Sequence, residues 1–396
     1  MIQISPETQL FIREHSSDDV RALALQAKKY PDIDMPTAIT QIAGRQAAAE
    51  KIPSWREIEE IWYPKHLSLE QCSSEITARY KARLLQGDSL TDLTGGFGID
   101  CSFLATGFKS ATYVERQEEL CEIAAHNFPI LNLNHINVRN EDGVAYLQSM
   151  SPVDCIFLDP ARRNEHGGKT VAISDCEPNV AELEALLLSK ANRVMIKLSP
   201  MLDLSLALKE LKHTQEVHIL SVNNECKELL ILLGQTSPAE ITIHCVNLFT
   251  KGTQEEQHFV FTREQEQRSQ CTYTDSLGDY LYEPNASLLK AGAFRSIAAA
   301  YPVRKLHPNS HLYTSDTFIE NFPGRIFRIV NQCSFNKKEV KENLADLKKA
   351  NVTVRNFPAT VAELRKRLHL TEGGDTYLFA STLNNGQKVI IRCEKV

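Results

Sequence analysis

The stretch SLTDLTGGFG, residues 89–98, decides the fold class. SLTD is a short strand-forming run, and Gly95, Gly96 and Gly98 follow it before helical spacing begins. Glycine, lacking a Cβ, lets the chain turn tightly and lets a ligand approach the backbone. The helix opened by such a turn presents unpaired N–H groups at its start. Strand, glycine turn and helix in that order open a layered α/β domain that binds something at the turn.

Toward the C-terminus the same character continues. ATYVE (111–115), INVR (136–139), VDCIFLD (153–159), RVMIKLS (193–199) and EVHILSV (216–222) are short β-branched or aromatic runs, and helical spacing separates most of them. That alternation predicts a doubly wound, mostly parallel α/β sheet of Rossmann-like kind, covered on both faces. KELLILLG (227–234) follows EVHILSV after only a few residues. The gap is too short for a crossover helix, so the sheet is expected to end in an antiparallel hairpin.

The flanks differ. Residues 1–86 read as helices: Asp18 and Asp19 precede an apolar stripe, Pro36 opens AITQIAGRQAAAEKI, Ser54 stands ahead of WREIEEIWY, and a further helix is expected from about Leu69 through ITARYKARLL. Past residue 236 come ITIHCVNLF and HFVFT, then EPNASLLKAGAFRSIAAAY, read as a helix opened by Pro284. From Gly324 the order is β-α-β-α-β-β, with Asn384-Asn385-Gly386 turning the last two strands. The expected divisions are 1–86, 87–236, 237–323 and 324–396, the last two being smaller α+β units.

Composition bounds the rest. A chain of 396 residues exceeds one ordinary core. It contains no apolar run long enough to span a membrane. The N-terminal segment has no basic region ahead of an apolar stretch. The ten cysteines stand singly, without a CxxC pair. A cytoplasmic protein with reduced thiols and no membrane partner is the expectation. The net charge of -6 is unevenly placed: residues 324–396 hold 14 Lys+Arg against 7 Asp+Glu. Fixed positive charge of that kind attracts phosphate backbones. Lys337, Lys338, Lys348 and Lys349 read equally as a solvated helix face.

Four acids surround the glycine turn in sequence order. Asp92 precedes it, where a pyrophosphate would be repelled and a cationic ligand attracted. Glu115 ends the next strand, where a carboxylate can accept ribose hydroxyls. Asp142 follows the third strand, placed for an adenine amino group or for capping the helix at GVAYLQ. Asp159, with Pro160, ends the fourth strand at the crevice where open α/β sheets bind ligands. Arg162 and Arg163 are candidates for bidentate phosphate contacts, and NEHGGKT (164–170) for a substrate loop. Lys197 ends the fifth strand, as a substrate contact or a neutral snorkeller. His126, His213 and His218 show no ligand spacing, and no metal is expected.

These residues resemble the class I S-adenosylmethionine-dependent methyltransferases. Asp92, Thr94, Gly95, Gly96 and Gly98 match the glycine-rich first motif, Glu115 the ribose acid, Asp142 the adenine-side acid, and Asp159-Pro160 the fourth, catalytic motif. The resemblance implies S-adenosyl-L-methionine as cofactor. QCSSEITARY is similar to the substrate-side helix of RNA cap trimethylguanosine synthases, with Ser73-Ser74-Glu75 in place of Thr-Pro-Glu. Asp-Pro-Ala-Arg resembles the fourth motif of the RNA 5-methyluridine enzymes, but Lys-Leu-Ser-Pro stands where those carry a nucleophilic cysteine. It also lacks the aromatic ring of the amine-methylating Asp-Pro-Pro motifs. The whole layout is similar to a bacterial methyltransferase family with ferredoxin-like (237–323) and THUMP-like (324–396) C-terminal parts. THUMP domains bind structured RNA, so the resemblance implies tRNA or rRNA as partner and RNA base methylation as activity. A methyltransferase for a protein or small molecule, or a non-catalytic RNA-binding protein on the same fold, remain open alternatives, and the oligomeric state is not read from sequence.

Overall fold

The computed structural model describes residues 4–162, 172–253 and 255–396. The chain separates into two compact units, one of residues 1–215 and 230–238, the other of 216–229 and 239–396.

The first unit opens with helices, including Pro6–Glu14, Val20–Leu25 and Met35–Lys51, whose N-caps are Ser5, Asp19 and Asp34. Two expected helices are shorter than their apolar spacing indicates. WREIEEIWY forms only the turn Pro53–Arg56. Beyond it the backbone is gripped by two amides: Trp62 N–H donates to Asn127 and its carbonyl accepts from the same side chain, while Gln41 does likewise for Tyr63. Those bonds replace helical ones and leave Ile61 and Tyr63 free to bury. The helix expected from Leu69 is broken into His66–Gln71 and Glu75–Ala82, with Cys72, Ser73 and Ser74 between them.

The sheet strands of this unit are β1 (Ser89–Asp92), β2 (Ser110–Glu115), β3 (Ile136–Asn140) and β4 (Val153–Leu158). A small ribbon, β5 (Ala161–Arg162) with β6 (Cys176–Glu177), precedes β7 (Ala191–Leu198). The order is β7-β4-β1-β2-β3, all parallel. Helices Ile99–Ala105, Glu118–Ile130, Gly143–Ser149 and Val180–Lys190 carry the crossovers. The chain leaves β1 toward β2 on one side and returns to β4 on the other, so the C-terminal ends of β1 and β4 flank the switch-point crevice. The doubly wound reading holds.

β8 (Thr214–Val222) and β9 (Glu225–Gly234) are adjacent in the sheet and joined by Asn223 and Asn224, both at positive φ. This is the expected hairpin, closed by two residues suited to a left-handed turn, but it does not end the sheet, because β8 has a further strand on its other edge. In the second unit, β10 (Thr242–Leu248) pairs in parallel with β8, and β11 (Glu256–Thr262) lies antiparallel to β10.

The second sheet of that unit contains β12 (Tyr280–Pro284), β13 (Arg304–Lys305), β14 (Tyr313–Ser315), β15 (Gly324–Ser334), β16 (Asn351–Val354), β17 (Thr376–Thr382) and β18 (Lys388–Lys395), in the order β13-β14-β12-β15-β18-β17-β16. Pro284 ends β12 instead of opening a helix. The helix there is Ala286–Ala291, capped by Asn285 and stopped by Gly292 at φ 78°, and a second one follows at Ser296–Ala300. From Gly324 onward the β-α-β-α-β-β order is as read, although the last hairpin needs five residues, Leu383–Gln387, with Gly386 at φ 86°.

One aromatic side chain joins the glycine turn to the N-terminal helices. Phe97 is 4% exposed and packs with Ala48, Ile52, Trp55, Ile61, Tyr63 and Ile99, its ring edge-on to Trp55 at 5.3 Å. Truncation to alanine removes this plug and leaves a cavity, a change that costs about 3–5 kcal/mol. Phe97→Ala is therefore expected to lower the urea midpoint of the full chain by that much stability, read by tryptophan fluorescence. A loss under 1 kcal/mol would show that the turn does not lean on this core.

Candidate active site

Asp92 ends β1 almost wholly buried, at 1% exposure. One carboxylate oxygen accepts the Thr94 N–H at 3.0 Å; the other, Oδ2, has no hydrogen-bond partner among the described residues. Burial, reinforced by the nearby Asp100, Asp159 and Glu115, pushes its carboxyl up to about 8 against the opposing pull of the Thr94 N–H. An unpartnered buried acid is costly, and it persists where something else completes it.

The glycines shape the turn above this acid. A Cβ on Gly95 would lie 2.2 Å from the Tyr113 ring, and Gly96 and Gly98 sit at φ 53° and 87°. Side chains are excluded by contact at the first and by conformation at the other two. The Tyr113 hydroxyl donates to the Gly96 carbonyl and holds the turn against β2. Glu115 closes the far side, accepting from Gly96 N–H and Gln117 N–H, each at 2.9 Å, one on each oxygen. Both oxygens keep a lone pair for a further donor.

Asp142 caps the helix Gly143–Ser149, its Oδ1 accepting from Val144 and Ala145 N–H at 3.0 Å. A Cβ on Gly143 would stand 2.2 Å from the Leu93 carbonyl oxygen, so the Asp142 loop lies directly against the β1 turn. Sequence spacing did not flag that glycine.

Asp159 and Pro160 lie just past β4. The Asp159 N–H donates to the Thr94 hydroxyl at 2.6 Å, tying the β4 loop to the β1 turn. Its carboxylate Oδ2 meets Lys197 Nζ at 2.5 Å, with the aspartate side chain 36% exposed and the lysine 11%. Burial raises the Asp159 carboxyl, opposed by the Lys197 charge. Lys197 is thus paired within the site and is not a solvent-facing strand end. Arg162 lies in β5, whereas Arg163 and the NEHGGKT loop fall outside the described residues.

Beneath these groups is a network the sequence reading missed. Lys197 also reaches Asp100 Oδ2 at 3.3 Å and Ser73 Oγ at 3.0 Å. Lys81, fully buried, meets Asp100 Oδ1 at 2.9 Å and Ser73 Oγ at 2.8 Å, and the Ser73 hydroxyl donates to Asp100 at 2.7 Å. Burial alone would raise the Asp100 carboxyl, but Lys81 and Lys197 outweigh it and hold it below the usual carboxylate range. Asp100 reads in sequence as an ordinary first-turn acid, and Lys81 as a helix-surface cation. The helix break at Ser73 is what places its hydroxyl here. Glu75, by contrast, is occupied by Ser54 N–H and Arg79. His126 stacks on Trp62 and His213 pairs with Glu184.

The arrangement offers a buried carboxyl with one oxygen unpartnered among the described residues beside a side-chain-free turn, a fixed glutamate at its rim, and a lysine-braced aspartate one strand away.

The ferredoxin-like domain family matches residues 280–323, and the THUMP domain-like family matches 324–395. No protein of curated function matches the chain. The crystal structure of a protein assigned as a methyltransferase from Porphyromonas gingivalis W83 aligns with a TM-score of 0.87 and 34% identity over 100% of both chains. A Streptococcus mutans protein assigned as a methyltransferase, crystallised with SAH, gives a TM-score of 0.30 at 12% identity, covering 40% of this chain and 96% of its own. An rRNA methylase from Streptococcus thermophilus gives 0.29 at 14%, covering 40% and 93%. At such scores the last two say nothing of activity.

The raised Asp92 carboxyl has a signed consequence. Between the ordinary aspartate value near 4 and about 8, the folded chain holds a proton that the unfolded chain has lost, so Asp92 makes stability fall as pH rises through that window. Asp92→Asn removes this dependence. The variant is expected to be at least as stable as the parent, with an advantage that grows from pH 5 to 8 and is level above. Urea unfolding across that range measures it; an advantage that shrinks with pH would refute the assignment.

Proposed function

Because this chain belongs to the family of bacterial methyltransferases with ferredoxin-like and THUMP-like C-terminal domains, we propose that it uses S-adenosyl-L-methionine to methylate a base in structured RNA, tRNA or rRNA. The observation that carries the cofactor half is the unpartnered buried oxygen of Asp92 beneath the glycine turn. The donor set fits. An ammonium or sulfonium cation satisfies Asp92, whereas a pyrophosphate would be repelled by it. Glu115 retains lone pairs for ribose hydroxyls, and Asp142 keeps its second oxygen for an amino group. Thr94, Gly95, Gly96 and Gly98 shape the cradle. When bound, S-adenosyl-L-methionine supplies an electrophilic methyl group.

The acceptor side is built from Asp159 and Pro160. Lys197 holds one carboxylate oxygen of Asp159, which leaves Oδ1 to accept a proton from the nucleophilic nitrogen and align its lone pair. Lys197 acts through Asp159 as a positioning residue, itself braced by Asp100 and Ser73. Arg162 and Arg163 are the candidate phosphate contacts. The THUMP-like match and the excess of 14 basic over 7 acidic residues in 324–396 support an RNA substrate. Lys337, Lys338, Lys348 and Lys349 are all exposed there.

Calorimetry with S-adenosyl-L-methionine at pH 6.5 tests the cofactor half. Asp92 holds its proton at that pH and must release it to face a cation. Titrations in buffers of different ionisation heat should show proton release for the parent and less for Asp92→Asn, whose affinity should fall by about 10–100-fold, the worth of a charge-assisted hydrogen bond. Equal affinity and equal proton release in the two proteins would remove Asp92 from the pocket.

The substrate half is checked separately. Affinity of the full chain for total tRNA or rRNA should fall steeply and log-linearly with salt, as counterion release demands. Mass spectrometry of RNA nucleosides from cells with and without the gene should show one methylated nucleoside lost. A flat salt response with unchanged nucleosides points instead to a protein or small-molecule acceptor.

A further inference from the structure

The second unit carries a group of donors that methyl transfer does not use. His244 on β10 lies directly opposite His218 on β8, and β11 places His258 opposite Val246, diagonal to His244 on the same face. The rings form a stack: His218 to His244 is 4.3 Å with 7° between planes, and His244 to His258 is 5.3 Å with 23°. Glu216, two residues before His218, projects to the same face of β8.

One donor atom each from Glu216, His218 and His244 lies within 4.8 Å of the other two. Glu216 Oε2 is 3.3 Å from His218 Nε2, and His258 Nε2 is 3.2 Å from His244 Nδ1. Donors held at about 2.0–2.1 Å in a zinc tetrahedron stand roughly 3.3 Å apart, so the two separations match such edges, and rotation of the stacked His218 and His244 rings out of their parallel planes would bring their lone pairs onto one ion. The His218 side chain is 3% exposed and that of Glu216 34%, which gives the group a buried floor and an accessible mouth.

We propose that Glu216, His218 and His244, with His258 as fourth donor, bind one divalent transition cation of the zinc class and so clip β8 to β10. Imidazole nitrogens with a single carboxylate suit such an ion and disfavour magnesium or calcium, which take oxygen ligands. The site was not legible from spacing because its members come from three strands, with His218 and its partner across the parallel pair 26 positions apart. It stands independently of the methyl-transfer reading.

The test uses the full chain, stripped with chelator and titrated with zinc against a chromogenic competitor. The ten free cysteines bind zinc adventitiously, so the readout is the difference between proteins. The parent should bind one equivalent that His244→Ala lacks and that Glu216→Gln binds about tenfold or more weakly. Zinc should raise the melting temperature of the parent and not of His244→Ala. Glu216→Gln changes only a partly exposed side chain and guards against misfolding as the cause. Equal stoichiometry and affinity in parent and both variants would overturn the site, as would binding only at millimolar zinc; Glu216 and His258 would then be plain hydrogen-bond partners of the neighbouring rings.

Discussion

Charge compensation under the crevice governs the first unit. Two lysines and two aspartates alternate there, Lys81 to Asp100 to Lys197 to Asp159, with the Ser73 hydroxyl filling the remaining angle. Buried ions are expensive, and removing one partner from such a set strands the next. Each member is therefore held by the others more tightly than packing alone would hold it. Asp92 sits beside this series outside its compensation. Two lysines hold Asp100 ionised, whereas burial pushes the Asp92 carboxyl up.

The sheet and the acids at its crevice, unlike that network, were legible in the sequence for identifiable reasons. The parallel sheet announces itself because strands buried on both faces are near-continuous apolar runs, as in VDCIFL and RVMIKL. The glycine turn is legible because Gly96 and Gly98 adopt positive φ and Gly95 has no room for a Cβ. Strand-end acids follow from the geometry of open α/β sheets, and the chain places Asp92, Glu115 and Asp159 there. The hairpin of β8 and β9 was forced by a connection too short to cross the sheet, whereas the strands that continue the sheet past β8 were read as part of a separate region.

What escaped was decided by tertiary partners. WREIEEIWY has helical spacing, yet Gln41 and Asn127, remote in sequence, capture its backbone. Lys81 and Asp100 look like helix-surface charges until the helices are packed. Gly143 gives no local signal, since its neighbour is the Leu93 carbonyl fifty residues upstream. The histidine stack arises only when parallel strands come into register. In each case the missing information is a long-range pairing, which one-dimensional periodicity does not encode.

Thr94 carries a last consequence. Its amide holds Asp92 while its hydroxyl receives the Asp159 amide, so a single residue is fastened to both strands bordering the crevice. The Leu93 N–H, bonded to the Phe157 carbonyl at 3.0 Å, adds a second tie between the turn and the end of β4. The two borders of the crevice thus share an anchor, so a substitution at Thr94 would loosen both at once.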